Sequence, residues 1–343
     1  MIEVAEPSAR SAGGTSHRPF PKEALAAYAQ PRLGRSVLDL ATSVVPYLAL
    51  TVAGYALLDV SSLLVVALWL PTAGFLLRTF ILFHDCTHGS FMPSKRANEW
   101  VGIVCGLLVY SSFAKWKHHH AMHHATNGDL DRRGSGDVKT LTVTEYRALS
   151  WPERLGYRLF RNPFVMFVLG PLWIMLIAPR FYRRSTRERI RRSVIATNVA
   201  LAVTLGALFA TLGWQAYLVV QFVPVLIAGS VGVWLFYVQH QFEETYWENS
   251  ERWNYSEAAL RGSSHLVLPK VLQFFTGNIG VHHVHHLSSR IPNYNLQRAH
   301  DENPVFHDVP TITLADGLRA VRLKLWDEDS RQLVTWSQAR RVV

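Results

Sequence analysis

The sequence predicts an all-α membrane protein: four transmembrane helices in two hairpins, with interfacial helices and a cytoplasmic His-rich helical cap. Three observations predict it. Four stretches, approximately residues 39–60, 61–83, 194–213 and 216–239, are apolar and close to the roughly 20 residues that a helix needs to cross a bilayer. The chain is 49% hydrophobic and only 17% charged, whereas soluble domains carry about 25% charged residues. Histidine, costly to bury without a partner, recurs in three separate segments at the spacing of helical turns.

Residues 1–35 form a polar N-terminal segment with Pro and Gly and no apolar run, so no secretory signal is expected there. Residues 36–330 form the membrane domain, and residues 331–343 are read as a C-terminal tail. The first two spans meet at Asp59-Val60-Ser61-Ser62 and the last two at Trp214-Gln215, which makes two tight hairpins. Two further apolar runs, roughly residues 100–114 and 163–178, are short for a span. A crossing by either would put the histidine segments on opposite faces of the membrane. Both are therefore expected to be interfacial or re-entrant helices.

The net charge is +10, and its placement decides its meaning. The hairpin loops contain no Lys or Arg, while Arg180, Arg183, Arg184, Arg187, Arg189, Arg191 and Arg192 crowd just before the third span. By the positive-inside rule that face is cytoplasmic, with both termini and the histidines on the same side of the cell inner membrane. A run that abuts a span acts as a topology or anionic-lipid determinant, so no nucleic-acid partner is expected. Arg78 is the single basic residue within a span and is expected to snorkel towards the cytoplasmic face. Two cysteines, Cys86 and Cys105, are too few for a disulfide framework and suit a reducing compartment.

The histidine segments are His84-Asp85-Cys86-Thr87-His88, His120-Ala121-Met122-His123-His124 and His282-His283-Val284-His285-His286. His84 and His88, His120 and His124, and His282 and His286 are four apart and share a helix face, with His123 and His285 at the intervening i+3 positions. His240, at the end of the fourth span, is a further contributor. These nine imidazoles exceed what one metal ion can hold and would serve two. Imidazole suits Zn, Cu, Fe and Ni alike. A closed zinc site needs four ligands and usually recruits Cys, so an all-His dinuclear site at a membrane face points to iron and oxygen chemistry. Soluble di-iron proteins use Glu-rich helices instead. Asp85, Asp137, Glu243 and Asn278 are expected to support the ligands by accepting a ring N–H or through water; Asp129, Asp131 and Glu244 also lie near in sequence. His118, His119 and His283 flank the periodic positions and stand outside the set. His17, His265, His300 and His307 are read singly as surface or satisfied residues, and the Cys86 side chain points away from the His84/His88 face.

At these motifs the chain resembles the membrane fatty acid desaturases. The three-residue gap between His84 and His88 is that of the acyl-lipid branch. The resemblance extends through Asp131-Arg132-Arg133-Gly134-Ser135-Gly136-Asp137, Trp234 to His240, Gly277-Asn278-Ile279-Gly280 and His285-His286-Leu287-Ser288-Ser289. It covers roughly residues 35–330 and is similar above all to bacterial delta-5 and delta-12 (omega-6) acyl-lipid desaturases. The resemblance implies a di-iron centre on the nine histidines, O2 as co-substrate, and a cis double bond placed in the acyl chains of membrane phospholipids. It also implies a separate electron donor such as ferredoxin or flavodoxin, in preference to a cytochrome b5-type carrier. One departure is Phe236, which stands where the acyl-CoA branch has an Asn near the metal; Asn278 is the candidate substitute. A membrane di-iron hydroxylase acting on a lipid, alkane or carotenoid shares the histidine spacing, although the flanking motifs favour desaturation. A transporter would string its polar residues across the bilayer instead of gathering them at one face.

Overall fold

The computed structural model describes residues 22–134 and 136–341 and is mostly helical. Most of the polar segment expected over residues 1–35, and with it the N-terminus assigned to the cytoplasm, lies outside the described residues. The first hairpin is α1 (Leu33–Ala56) and α2 (Ser62–His88). Both begin or end several residues from the expected points: α1 stops at Ala56 because Leu57–Val60 folds into a turn, and α2 continues through His88. Ser61 caps α2 by accepting from the Leu64 amide at 3.4 Å. Gly89 ends α2 with φ of 71°, the left-handed geometry that glycine adopts without steric cost. His84 and His88 therefore lie in its last two turns.

The chain then runs through α3 (Lys95–Leu108) and α4 (Phe113–Thr126), which meet at 100°. This pair leaves the end of α2 and returns to it, since the His88 and His120 rings are 4.8 Å apart. After α5 (Val143–Ala148), α6 (Trp151–Phe160) and the helix Val165–Arg180 meet at 60°. Both apolar runs judged too short to cross thus belong to bent helices. The second hairpin is α7 (Glu188–Leu212) and a helix running from Trp214 to His240. The latter comprises α8 (Trp214–Tyr217), a π-helical turn over Leu218–Phe222 and α9 (Val223–His240). Among the described residues, four helices are long and apolar enough to cross a membrane, with up to six if each bent pair counts as one span. This is the all-α membrane architecture that the sequence predicts.

The remaining chain caps the histidine end of the bundle. It contains α10 (Tyr255–Arg261), α11 (Lys270–Phe275), α12 (His282–Leu287), α13 (Asn293–Glu302), α14 (Leu314–Ala320) and α15 (Trp336–Ala339). Five short strands, which the reading of the sequence lacks, join it: β1 (Leu141–Thr142), β2 (His265–Leu266), β3 (Thr311–Ile312), β4 (Leu323–Asp327) and β5 (Gln332–Thr335). β4 pairs in parallel with β1 and antiparallel with β5, and β2 pairs in parallel with β3. The residues read as a tail from 331 onward are in part a folded strand, because Leu333 of β5 is fully buried beside β4.

Two buried arginines tie these parts together. Arg161, fully buried, donates to the Gln241 side chain at 2.9 Å, to the Leu323 carbonyl at 3.1 Å and to the Tyr237 hydroxyl at 3.3 Å. It thereby joins the residue after α6 to the end of α9 and to β4. Arg78 does not snorkel: it is 5% exposed, pairs with Asp39 at 3.2 Å, donates to Ser43 Oγ at 3.0 Å and lies 4.0 Å over the Phe274 ring. The correction has a physical reason. Asp39 on α1 is itself buried, and a partner within reach costs less than leaving either charge alone in an apolar bundle. Asp39→Ala is expected to destabilise the protein by about 3–5 kcal/mol by stranding the guanidinium, whereas Asp39→Leu combined with Arg78→Met recovers most of the loss. Thermal unfolding of both variants in mild detergent measures this.

Candidate metal centre

Four helices bring the nine histidines together. α2 contributes His84 and His88, α4 contributes His120, His123 and His124, α9 contributes His240, and α12 contributes His282, His285 and His286. They fall into two groups that could each hold a metal ion: His84, His88, His120, His124 and His285, and His123, His240, His282 and His286. Within each group one nitrogen per ring lies within 4.8 Å of every other. Helical spacing makes the division. The i and i+4 residues of α4, His120 and His124, face the first group and the intervening His123 faces the second. In α12 the assignment is exchanged, with His282 and His286 in the second group and His285 in the first. His124 and His286 stack at 4.2 Å, so the two groups share a wall.

Local sequence holds each helix in place. Before α12, Gly277 has φ of +51° and a Cβ there would lie 2.8 Å from Ile81, so only glycine permits the chain to turn this close to α2. Asp85 accepts from the Asn293 backbone N–H at 2.7 Å and from its side chain at 3.1 Å. The carboxylate thus sits at the N-terminus of α13 and fixes the cap to α2.

The hydrogen bonds of the rings define their protonation. A neutral imidazole carries one N–H and one lone pair. His84 Nδ1 faces Asp85 Oδ1 at 3.1 Å, His123 Nδ1 faces Asp137 Oδ1, and His240 Nδ1 faces the Gly262 carbonyl at 2.9 Å. Those oxygens can only accept, so the three Nδ1 atoms are the donors and the three Nε2 atoms keep their lone pairs. His123 Nε2 and His240 Nε2 nevertheless lie 3.2 Å apart. Two lone pairs at that distance repel unless a cation stands between them. The other rings come equally close, Nε2 to Nε2: 3.0 Å for His282 to His240, 3.3 Å for His123 to His286, 3.0 Å for His285 to His124 and 3.1 Å for His124 to His120. Two nitrogens about 2.1 Å from one ion and at right angles to each other are about 3.0 Å apart. His88 Nε2 is buried and has no hydrogen-bond partner among the described residues. The residues therefore fit metal ions in both groups.

The expected supporting residues divide. Asp85 and Asp137 touch ligand-bearing rings. Glu243 does not: its side chain is exposed and only its carbonyl is engaged, by the Leu333 amide. Asn278 donates to the Asn293 carbonyl at 3.1 Å and reaches the centre only through Asn293 and Asp85. Asp129 and Asp131 bind Ser250 and so join the loop after α4 to the loop after α9. Glu244, His118 and His119 are exposed. His283 turns away from both groups to His300, Nε2 to Nδ1 3.0 Å, and the His265 ring lies tilted 4.3 Å from that of His300. These two are members of an imidazole cluster and not isolated surface residues. Reading by spacing alone also passed over Trp116, which stacks on His120 at 4.3 Å, and Phe236, which lies 4.9 Å from His123 and 5.2 Å from His240. Each is four residues before a site histidine, which is the signal that could have found it.

Residues 61–313 match the family model described as fatty acid desaturase. A fatty acid desaturase of Bacillus subtilis (strain 168) is 47% identical over 318 residues, covering 93% of this chain and 90% of that one. The chain belongs to the fatty acid desaturase family. It is accordingly an oxidoreductase. More distant relatives include a Synechocystis sn-1 oleoyl-lipid 12-desaturase, 25% identical over 82% of this chain and 78% of its own. A Synechocystis sn-1 acyl-lipid omega-3 desaturase (ferredoxin) is 28% identical over 67% of this chain and 65% of its own.

Burial, and after it the neighbouring rings, hold the imidazoles of His120, His124, His282, His285 and His286 in this desaturase well below the ordinary histidine value. They are neutral at pH 7, the form in which imidazole binds metal. Below the unfolded value of about 6.5 the unfolded chain takes up protons that the folded chain refuses, so stability is present above that pH and falls as pH drops. Each such ring contributes up to about 1.4 kcal/mol per pH unit, and five acting together make the loss steep. The protein is expected to lose stability sharply between pH 6.5 and 5, with a divalent metal ion bound by these rings displacing the transition to lower pH. Unfolding at graded pH, with and without the ion, measures this; a flat profile would contradict it.

Proposed function

We propose that the enzyme is an O2-dependent acyl-lipid desaturase that inserts a cis double bond into the acyl chains of membrane phospholipids. In this reading two iron ions are held by His84, His88, His120, His124 and His285 on one side and by His123, His240, His282 and His286 on the other. The observation that carries it is the pair of facing lone pairs on His123 and His240, 3.2 Å apart, within a set of nine histidines that splits into two adjacent groups. Iron bound in this set supplies O2-dependent oxidation of an unactivated C–H bond, chemistry that no side chain here can perform. The acyl-lipid assignment is supported by family membership and by relatives named for acyl-lipid substrates.

The protein's own part is orientation and shielding. Asp85, Asp137 and the Gly262 carbonyl take the Nδ1 protons of His84, His123 and His240 and aim each Nε2 lone pair inward. Such outer partners fix the ring tautomer and raise ligand basicity. Trp116, Phe83, Phe80 and Phe236 cover the histidine set with hydrocarbon: Trp116 lies 5.2 Å from Phe83 and 5.6 Å from Phe80. This apolar wall suits an acyl chain and keeps water from the reacting carbons. Phe236 closes the four-histidine group where a polar residue would otherwise open it. The bond attacked is set by how deep the chain is held against the centre, which is a matter of positioning. The histidine cap faces the cytoplasm of a cell inner membrane, as the basic approach to α7 favours. Electrons reach it from a soluble carrier of the ferredoxin or flavodoxin kind.

Expression in a host without its own desaturase, followed by gas chromatography–mass spectrometry of the fatty acids, is expected to reveal a new unsaturated acid. His285→Ala is expected to abolish it. An alcohol in its place would assign a hydroxylase, and no product with ferredoxin supplied would overturn the proposal. Asp137→Asn, which removes the anion from His123 while keeping its shape, is expected to lower iron affinity about 10–100-fold. Iron content after dialysis against graded chelator reads that directly.

A further inference from the structure

We propose that the outer face of α4, with the Arg-rich approach to α7 beside it, is the docking surface for a small acidic one-electron carrier protein. The inference rests on the desaturase reading above. In that reaction O2 becomes two waters and takes four electrons and four protons. Two electrons and two protons leave with the C–H hydrogens as CH2–CH2 becomes CH=CH. The other two electrons come from the carrier in two single transfers, and the matching protons come from solvent. A carrier must therefore approach the histidines closely, twice per turnover.

α4 offers that approach. Its inner face carries His120, His123 and His124, while His118, His119 and Met122 on its outer face are exposed, Met122 to 40%, as is Lys117 at the edge of the histidine face, seven residues before His124. A helix with its side chains is about 10–12 Å across, so a protein resting on α4 is one helix away from three of the nine imidazoles. Trp116, partly exposed, continues the contact inward by stacking on His120 at 4.3 Å. The other helix with three of these histidines, α12, is buried along its whole length.

Charge identifies the partner. Lys115 Nζ donates to the carbonyls of Ala178 and Phe181, both at 2.7 Å, and Ser112 Oγ lies 3.0 Å from Ser193 Oγ. These bonds fasten the start of α4 to the segment that holds Arg183, Arg184, Arg187 and Arg191, all exposed. The nearby carboxylates are occupied: Glu99 by Arg189 at 2.8 Å and Glu188 by Arg192 at 2.5 Å. Among the described residues the four arginines and Lys117 have no carboxylate partner. A cationic surface of this kind steers an acidic protein and sets its docking orientation. A topology signal or lipid contact accounts for arginines beside a span, but not for the exposed Lys117 beside the site histidines of α4.

The test uses the iron-loaded enzyme in phosphatidylcholine nanodiscs, with a reduced plant-type [2Fe–2S] ferredoxin as probe and dithionite-reduced methyl viologen as a carrier-free reductant. Lys117→Glu/Arg187→Glu/Arg191→Glu is compared with wild type and with the control Arg298→Glu/Arg319→Glu on the cap. The triple variant is expected to lose at least about tenfold in ferredoxin affinity by interferometry. The ratio of its ferredoxin-driven to viologen-driven turnover is expected to fall equally, while the control retains both. Carbodiimide cross-linking of the unaltered enzyme to ferredoxin is expected to mark Lys117, a readout independent of any variant's folding. Ferredoxin affinity within twofold of wild type, cross-links confined to other lysines, or weakened binding to anionic vesicles alone would each overturn the docking surface. If wild type gives no unsaturated product even with viologen, the desaturase reading itself fails and the inference fails with it. If wild type desaturates with viologen and charge reversal leaves ferredoxin binding intact, only the docking surface fails.

Discussion

Lone pairs that face one another at 3.2 Å across His123 and His240 repel in the absence of a cation, and the rest of the molecule is arranged around that constraint. A neutral imidazole has one donor and one acceptor, so a ring whose N–H is committed outside the set can only accept within it. Where the donor is already committed to Asp85, Asp137 or the Gly262 carbonyl, the inward nitrogen has nothing left to give. Burial then removes protonation as an escape for His120, His124, His282, His285 and His286, since the charged form is penalised by desolvation. What remains is a donor set shaped for metal ions.

Such a set must be held by forces that do not come from itself. Four helices from distant parts of the chain converge on it, and each is fastened by an interaction outside the histidines. Arg78 and Asp39 lock α2 to α1. Arg161 binds the end of α9 through Gln241. Asp85 serves twice, orienting His84 with one oxygen and starting α13 with the other. The buried ion pair and the buried Arg161 guanidinium are costly features in an apolar bundle. Their benefit is geometric, since a ring displaced by an ångström no longer shares its group.

The division of the histidines into five and four explains why the two repeated motifs need the same spacing. In a helix, residues four apart share a face and the residue between them at i+3 is turned aside. One short segment can thereby serve both groups at once, α4 giving two rings to the first and one to the second, and α12 the reverse. Phe236 and Trp116 close the set with hydrocarbon, consistent with the family to which the chain belongs and with an apolar substrate.

The four spans, the two hairpins and eight of the nine histidines were legible in the sequence, because hydropathy over some 20 residues and repetition at one helical turn are local properties. His240 has no periodicity to mark it and was legible from its place at the end of the fourth span. Tertiary structure alone decided the rest. Glu243 lies three residues from a site histidine and Asp85 one, yet Glu243 faces solvent while Asp85 is buried among partners, because side-chain direction depends on which elements pack above it. Arg78 was read as snorkelling because its partner lies 39 residues earlier in sequence, and no local pattern reports a contact across a hairpin. The strand β5 was read as a tail because its one partner, β4, is recognised only when the cap has folded. Sequence determined which residues have the chemistry to bind metal. Folding decided which of them meet, since convergence of lone pairs is a property of distances between helices and not of spacing along one.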